Sequence, residues 1–386
     1  MKKILKFPKD FLWGSSISAY QVEGGIENND FSKFFPAKKA CNHYFLYEKD
    51  FSLLKKLNQN AFRFSIEWSR IEPEEGKFSK KETQHYQKVI LALKKRKIKV
   101  MVTLHHFTNP FWLKKINWWE GEKVVFYFSR FARYLFSHYK DLVDFWITIN
   151  EPLVYGSLAY LKGRWPPFKK NFFSFFKVFR NQIKAHKEVY CHFHQIKKDV
   201  KIGISKNNQF FEPEKNNSFL DKLSTKLIDY FWNEYFLNQI KNHLDFIGLN
   251  YYFHNKIKFP FKIKNENKIV SDLGWGIYPK GIYFVLKKLK KYQKPIYITE
   301  NGVADKNDLL REKFIKDHLF WVAKAIEEGV PVKGYFYWSL LDNFEWDQGF
   351  EARFGLVEVD YQTFKRILRK SALFYQKICK NNFLEV

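Results

Sequence analysis

Phe145-Trp146-Ile147-Thr148-Ile149-Asn150-Glu151-Pro152 and Pro295-Ile296-Tyr297-Ile298-Thr299-Glu300-Asn301-Gly302 follow one pattern: β-favouring residues that end on a glutamate and then break at Pro or Asn-Gly. Each reads as a strand giving way to a loop. One such glutamate decides little, because charged residues often close a solvated strand. The same short β-rich run recurs, however, at Phe11–Ser16, Ala61–Trp68, Val100–His106, Lys201–Ser205, Phe246–Tyr252 and Gly334–Leu340. Helical patterns lie between the runs, at Tyr44–Leu57, Lys80–Lys95, Val124–Tyr139, Phe173–Lys197, Leu223–Lys241, Pro279–Tyr292 and Leu309–Glu328. Alternating strands and helices imply parallel βα units. Eight of them predict an α/β protein, a single (β/α)8 TIM barrel over residues 1–386 with its active site at the C-terminal ends of the strands. A doubly wound open sheet is the rival, but the first run is not followed by Gly-x-Gly-x-x-Gly, and Glu23-Gly24-Gly25 has the wrong spacing. The basic stretch Asn255–Lys268 reads as an excursion after the sixth strand.

Composition excludes several classes. The 386 residues are 46% apolar, enough for a large core. Lys plus Arg number 67 against 40 Asp plus Glu, a net charge of +27, yet the basic residues are scattered in short runs and no nucleic-acid motif accompanies them. A solvated lysine-rich surface is expected, with no nucleic-acid partner. Three distant cysteines, Cys41, Cys191 and Cys379, argue against a disulfide framework and for a reducing compartment, so a cytoplasmic location is expected. The N-terminus lacks the apolar segment of a signal peptide, and no run is long enough to span a bilayer, so no membrane partner is expected. Cys191-His192-Phe193-His194 lacks a second ligand pair, and neither metal nor cofactor is expected.

The candidate functional residues gather at strand ends: Gln21 after the first run, Arg63 in the second, His106 at the end of the third, Asn150 and Glu151 at the fourth, Tyr252 at the sixth, Glu300 at the seventh and Trp338 in the eighth. A closed parallel barrel brings these ends to one face. Two carboxylates there suit glycoside cleavage, which needs one group to protonate the departing oxygen and one on the opposite side of the anomeric carbon. Mutual repulsion raises the pKa of one, which keeps its proton near neutral pH. Arg63 and Tyr252 suit a supporting role beside Glu300, and Asn150 suits the sugar 2-hydroxyl.

Phe11-Leu12-Trp13-Gly14, Ala19-Tyr20-Gln21-Val22-Glu23-Gly24, Phe62-Arg63-Phe64-Ser65-Ile66-Glu67-Trp68, Thr148-Ile149-Asn150-Glu151-Pro152, Thr299-Glu300-Asn301-Gly302 and Trp338-Ser339-Leu340-Leu341-Asp342-Asn343-Phe344-Glu345-Trp346 together resemble glycoside hydrolase family 1, of β-glucosidase and β-galactosidase type. The resemblance runs nearly end to end. It implies a metal-free retaining β-glycosidase acting on small glucosides, galactosides or short oligosaccharides. It also implies Glu151 as general acid/base, Glu300 as nucleophile and Arg63 with Tyr252 as the nucleophile's support. Gln21, His106, Asn150, Trp338, Glu345 and Trp346 match positions that grip the sugar in the innermost subsite.

The chain departs from the family pattern where His106-Phe107 replaces the common His-Trp, and where segments before Cys41 and after the fifth and sixth strands look short. Glu345 implies unphosphorylated sugars, because a carboxylate facing the 6-position repels a phosphate. Two alternatives share the resemblance: a transglycosylase using the same site, and a non-catalytic carbohydrate-binding relative, which typically lacks one of the glutamates. The partner is a small carbohydrate in either enzymatic case, and the oligomeric state is left open.

Overall fold

The computed structural model describes residues 3–386. Eight parallel strands form a closed barrel in sequence order: β1 Leu12–Ser16, β2 Ala61–Ser65, β3 Lys99–His105, β4 Phe145–Asn150, β5 Ile202–Asn207, β6 Phe246–Asn250, β7 Ile296–Asn301 and β8 Val332–Trp338. β8 pairs with β1, Tyr335 opposite Trp13 and Trp338 opposite Ser16, which closes the ring. The surrounding helices are α1 His43–Lys56, α2 Lys80–Lys95, α3 Lys123–Tyr139, α4 Phe172–Ile196, α5 Phe219–Asp229, α6 Lys280–Leu289, α7 Arg311–Glu327 and α8 Lys370–Asn381. The expected (β/α)8 barrel is therefore observed.

Apolar side chains fill the lower barrel. Ala61, Met101, Ile147, Phe246 and Phe336 form a cluster with Leu12, Phe145 and Tyr297 packed against it. The large rings need small neighbours: a Cβ on Gly203 would lie 2.6 Å from the Phe246 ring. Alternation along β4 from Phe145 and Ile147 would next aim Ile149 into the barrel. A register shift between Ile147 and Asn150 sends Ile149 to the core outside it and turns Asn150 inward instead. β7 carries a matching shift between Ile298 and Glu300. Bulges re-aim side chains in this way, and here both precede a glutamate.

Several expected boundaries differ. The second run ends as a strand at Ser65, and Trp68–Ile71 is a helical turn. The stretch expected as one helix over Leu223–Lys241 starts at Phe219, widens into a π-helical turn at Tyr230–Glu234 and ends as Tyr235–Ile240. The excursion after β6 is an antiparallel hairpin, His254–Lys258 with Lys262–Lys264, joined in parallel by Phe210–Pro213. α8 was not among the expected helices; it packs on the closing seam, where Tyr375 Oη donates to the Gly14 carbonyl at 2.9 Å. No helix among the described residues is long and apolar enough to cross a membrane.

Candidate active site

Arg63, on β2, is buried and organises the upper barrel. Its Nη1 donates to Glu300 Oε1 at 2.5 Å and to the Thr299 carbonyl at 3.2 Å, its Nη2 to Asn150 Oδ1 at 2.7 Å, and its Nε to Thr103 Oγ1 at 3.1 Å. One planar guanidinium thus ties four strands together, a task its fixed fork of donors suits. Tyr252 Oη donates to the other Glu300 oxygen at 3.0 Å. Glu151 has a different environment. Its Oε1 accepts from Asn250 Nδ2 at 2.8 Å and Asn207 Nδ2 at 3.2 Å. Asn250 Nδ2 also donates to Asn150 Oδ1 at 3.1 Å, and Thr299 Oγ1 donates to Asn250 Oδ1 at 2.7 Å, which fixes the amide's orientation.

The two carboxyls differ electrostatically because their partners differ. Burial pushes Glu151 up to about 7, and the nearby Glu300 charge adds to the rise, against the opposing amides. Burial also raises Glu300, but the Arg63 guanidinium and the Tyr252 hydroxyl oppose it by stabilising the anion. Only Glu300 touches a cation, an arrangement that favours the negative charge there and the proton on Glu151. Glu151 is held at a φ of 45°, in the left-handed region, between β4 and the helical turn begun by Pro152.

A second cluster lies beside the first. Gln21 sits in the short helix Ala19–Val22 after β1. Ser18 Oγ donates to its Oε1 at 2.7 Å, and its Nε2 lies 2.9 Å from Asn343 Oδ1 and 3.1 Å from Glu345 Oε2. His106 lies nearly parallel to both Trp338 and Trp346, with ring centres 5.9 and 6.0 Å away. Burial and the Arg63 charge hold this imidazole well below its usual pKa, so it is neutral. Asn150 Nδ2 lies 3.2 Å from His106 Nε2, which then accepts, leaving the proton on Nδ1, an atom with no partner among the described residues. Burial and the Glu300 charge push Glu345 up to about 8. This shift favours the protonated form of Glu345 near neutral pH, which would weaken the charge repulsion expected against a 6-phosphate. Phe107, in place of the common Trp, packs on Trp165 and Trp346 at 4.9 and 5.1 Å.

All ten sequence-derived candidates, Gln21, Arg63, His106, Asn150, Glu151, Tyr252, Glu300, Trp338, Glu345 and Trp346, belong to these two adjoining clusters. Sequence reading missed Asn250 and Asn207, which orient Glu151. Each is the last residue of its strand, Asn207 of β5 and Asn250 of β6, as Asn150 is of β4. The arrangement can supply a proton from one carboxyl and an anion from the other, beside apolar rings and hydroxyl-binding amides.

Comparison with known proteins agrees with this chemistry. The family profile described as Glycosyl hydrolase family 1 matches residues 4–242 and 237–384. Beta-glucosidase A of Thermotoga maritima is 35% identical over 448 aligned positions, covering 99% of each chain. Beta-galactosidase of Pyrococcus woesei is 31% identical, covering 97% of each. The structure of the beta-glycosidase from Pyrococcus horikoshii superimposes with a TM-score of 0.94 at 39% identity, covering 100% of this chain and 97% of that one. The chain belongs to glycosyl hydrolase family 1. It is a glycoside hydrolase of β-glycosidase type, with activity on β-glucosides and β-galactosides. It spans the T. maritima relative's 448 aligned positions with only 386 residues, in keeping with the short segments noted above.

Proposed function

We propose that the protein is a retaining β-glycosidase for unphosphorylated β-glucosides, β-galactosides or short oligosaccharides, working by double displacement. Glu300 attacks the anomeric carbon while Glu151 gives its proton to the departing glycosidic oxygen. The covalent glycosyl-enzyme is then opened by water, whose proton returns to Glu151, so two inversions give net retention. Arg63 and Tyr252 keep Glu300 ionised. Gln21, His106, Asn150 and Glu345 bind hydroxyls, and Trp338 and Trp346 pack on the sugar ring. The partner asymmetry carries this reading: Glu300 has a guanidinium 2.5 Å away, whereas Glu151 has only neutral amides. Discrimination against a 6-phosphate rests on desolvation, because Arg164, beside the Glu345-Trp346-Asp347 segment, is already held by Asp347 at 2.5 Å.

The test is hydrolysis of a panel of chromogenic β-glycosides, with proton NMR of the first product formed. Release of the β-anomer is expected. First formation of the α-anomer would refute double displacement, and no turnover of any unphosphorylated β-glycoside would refute the substrate class.

A further inference from the structure

α5 is built inside out. Its buried side carries Asp221, Ser224, Thr225 and Asp229, whereas Phe219, Leu220, Leu223 and Leu227 are 75%, 47%, 42% and 50% exposed. A surface helix of a globular protein normally has the reverse arrangement. The polar inner side serves the fold: Asp221 accepts from the amides of Lys215 and Phe259 at 3.2 and 3.0 Å, and Asp229 accepts from Asn233 at 2.7 Å. The apolar outer side is left to water.

The apolar stripe continues beyond the helix. Phe231, one turn past Leu227, lies 6.0 Å from Phe176, which touches Phe172 at 4.6 Å on the first turn of α4. Phe172 and Phe173 are 58% and 76% exposed. On the other flank, the Asp221 contact seats the turn of the hairpin, where Phe259, Phe261 and Ile263 are each about half exposed. Scattered surface hydrophobes need no explanation, but a connected aromatic face does.

Acidic groups on these segments are paired, Glu214 with Lys258 and Lys264 and Glu120 with Lys169 and Lys177, so the unpaired charge around this face is positive. Lys170, Lys215, Lys222, Lys226 and Lys262 are exposed and have no acidic partner among the described residues. Two copies meeting face to face would bring these lysines against their own images. A groove for a peptide is equally unsuited, since Phe173 and Phe219 keep three-quarters of their surface in solvent and so stand out from the protein. Protruding phenylalanines ringed by unpaired lysines match the boundary layer of an anionic bilayer, where rings enter the acyl region and ammonium groups reach the phosphates. We propose that this face docks the enzyme peripherally onto an anionic lipid surface. Such attachment needs no spanning helix. α4 and α5 begin at the end of the barrel that holds the site, so docking sets the site mouth beside the lipid boundary.

The experiment is co-sedimentation of the full-length protein with phosphatidylcholine vesicles and with phosphatidylcholine/phosphatidylserine vesicles, at low and physiological salt. It is run on the wild type, Phe219→Ser/Leu223→Ser and Lys222→Glu/Lys226→Glu, with aryl β-glucoside hydrolysis confirming that each variant is folded. Binding to the anionic vesicles alone is expected, reduced at least about tenfold in both variants. No vesicle binding by the wild type would overturn the proposal. So would equal binding by Phe219→Ser/Leu223→Ser, which would leave only the long-range charge. A dimer in size-exclusion chromatography that this same variant converts to monomer would assign the face to a second copy, and would equally overturn it.

Discussion

Replacing Glu300 by Gln tests the origin of the acid's proton affinity. Glu151 is held at about 7 by burial first and by the Glu300 charge second. In a retaining pair the carboxyls stand roughly 5 Å apart, and two unit charges at that distance interact by about 3 kcal/mol at an effective dielectric near 20, or about two pKa units. Arg63 lies against Glu300 and cancels part of that field. The burial contribution survives the substitution. Glu300→Gln should therefore lower the Glu151 pKa by about one unit, to about 6. Because the variant is expected not to turn over, the titration is followed by infrared difference spectroscopy of the carboxylic acid carbonyl stretch, with Glu300→Gln/Glu151→Gln identifying the band. With Glu151 as the proposed acid its protonated form is the active one, so wild-type kcat/KM should be retained below pH 7 and fall as pH rises through it. An unchanged or raised Glu151 pKa in Glu300→Gln would refute the assignment of the anion to Glu300.

Glu300→Gln should abolish turnover without unfolding the chain, and azide should partly rescue Glu300→Gly on activated substrates to give product of inverted configuration; steady-state rates and product NMR check both. Glu151→Gln should slow substrates with poor leaving groups far more than activated aryl glycosides, and equal losses in kcat/KM on the two classes would remove it from the acid role. The preference for an aryl β-glucoside over its 6-phosphate should grow between pH 7 and pH 9, as Glu345, pushed up to about 8, loses its proton; paired kcat/KM profiles measure this, and a flat ratio would show that Glu345 does not face the 6-position. Asp342, buried and held to Arg369 by two hydrogen bonds of 2.9 Å, should cost about 3 kcal/mol of stability when changed to Ala, read from denaturant midpoints, because the buried guanidinium keeps only the half-exposed Glu358, 3.7 Å away, as its anion.

Strand order and the ten candidate residues were legible because the barrel repeats one local rule, a β-rich run ending in a polar residue, and because the resemblance supplied roles that spacing could not. The aim of those residues was not legible. Strict alternation would have turned Ile149 into the barrel, and nothing in Ile147-Thr148-Ile149-Asn150 announces a bulge. The proton affinity of Glu345 was not legible for a similar reason, since it depends on burial and on the charge of Glu300, more than forty positions away, and not on its neighbours in sequence. α8 went unread because its amphipathic pattern follows the last strand, where the alternating count was already complete.

The seam between β8 and β1 joins Leu12–Ser16 to Gly334–Trp338, nearly the whole length of the chain apart. During synthesis the first strand is made early, and its outer edge has no partner until the eighth has been added. At roughly 5–20 residues per second that interval lasts tens of seconds. Throughout it, one row of backbone donors and acceptors is open to any passing strand. Ring closure is therefore a late and non-local event of folding, and the bond from the Ser16 hydroxyl to the Thr299 carbonyl at 2.7 Å belongs to the closed ring. A ribosome-bound chain stopped before Gly334 would carry Glu151 and Glu300 and still be inert.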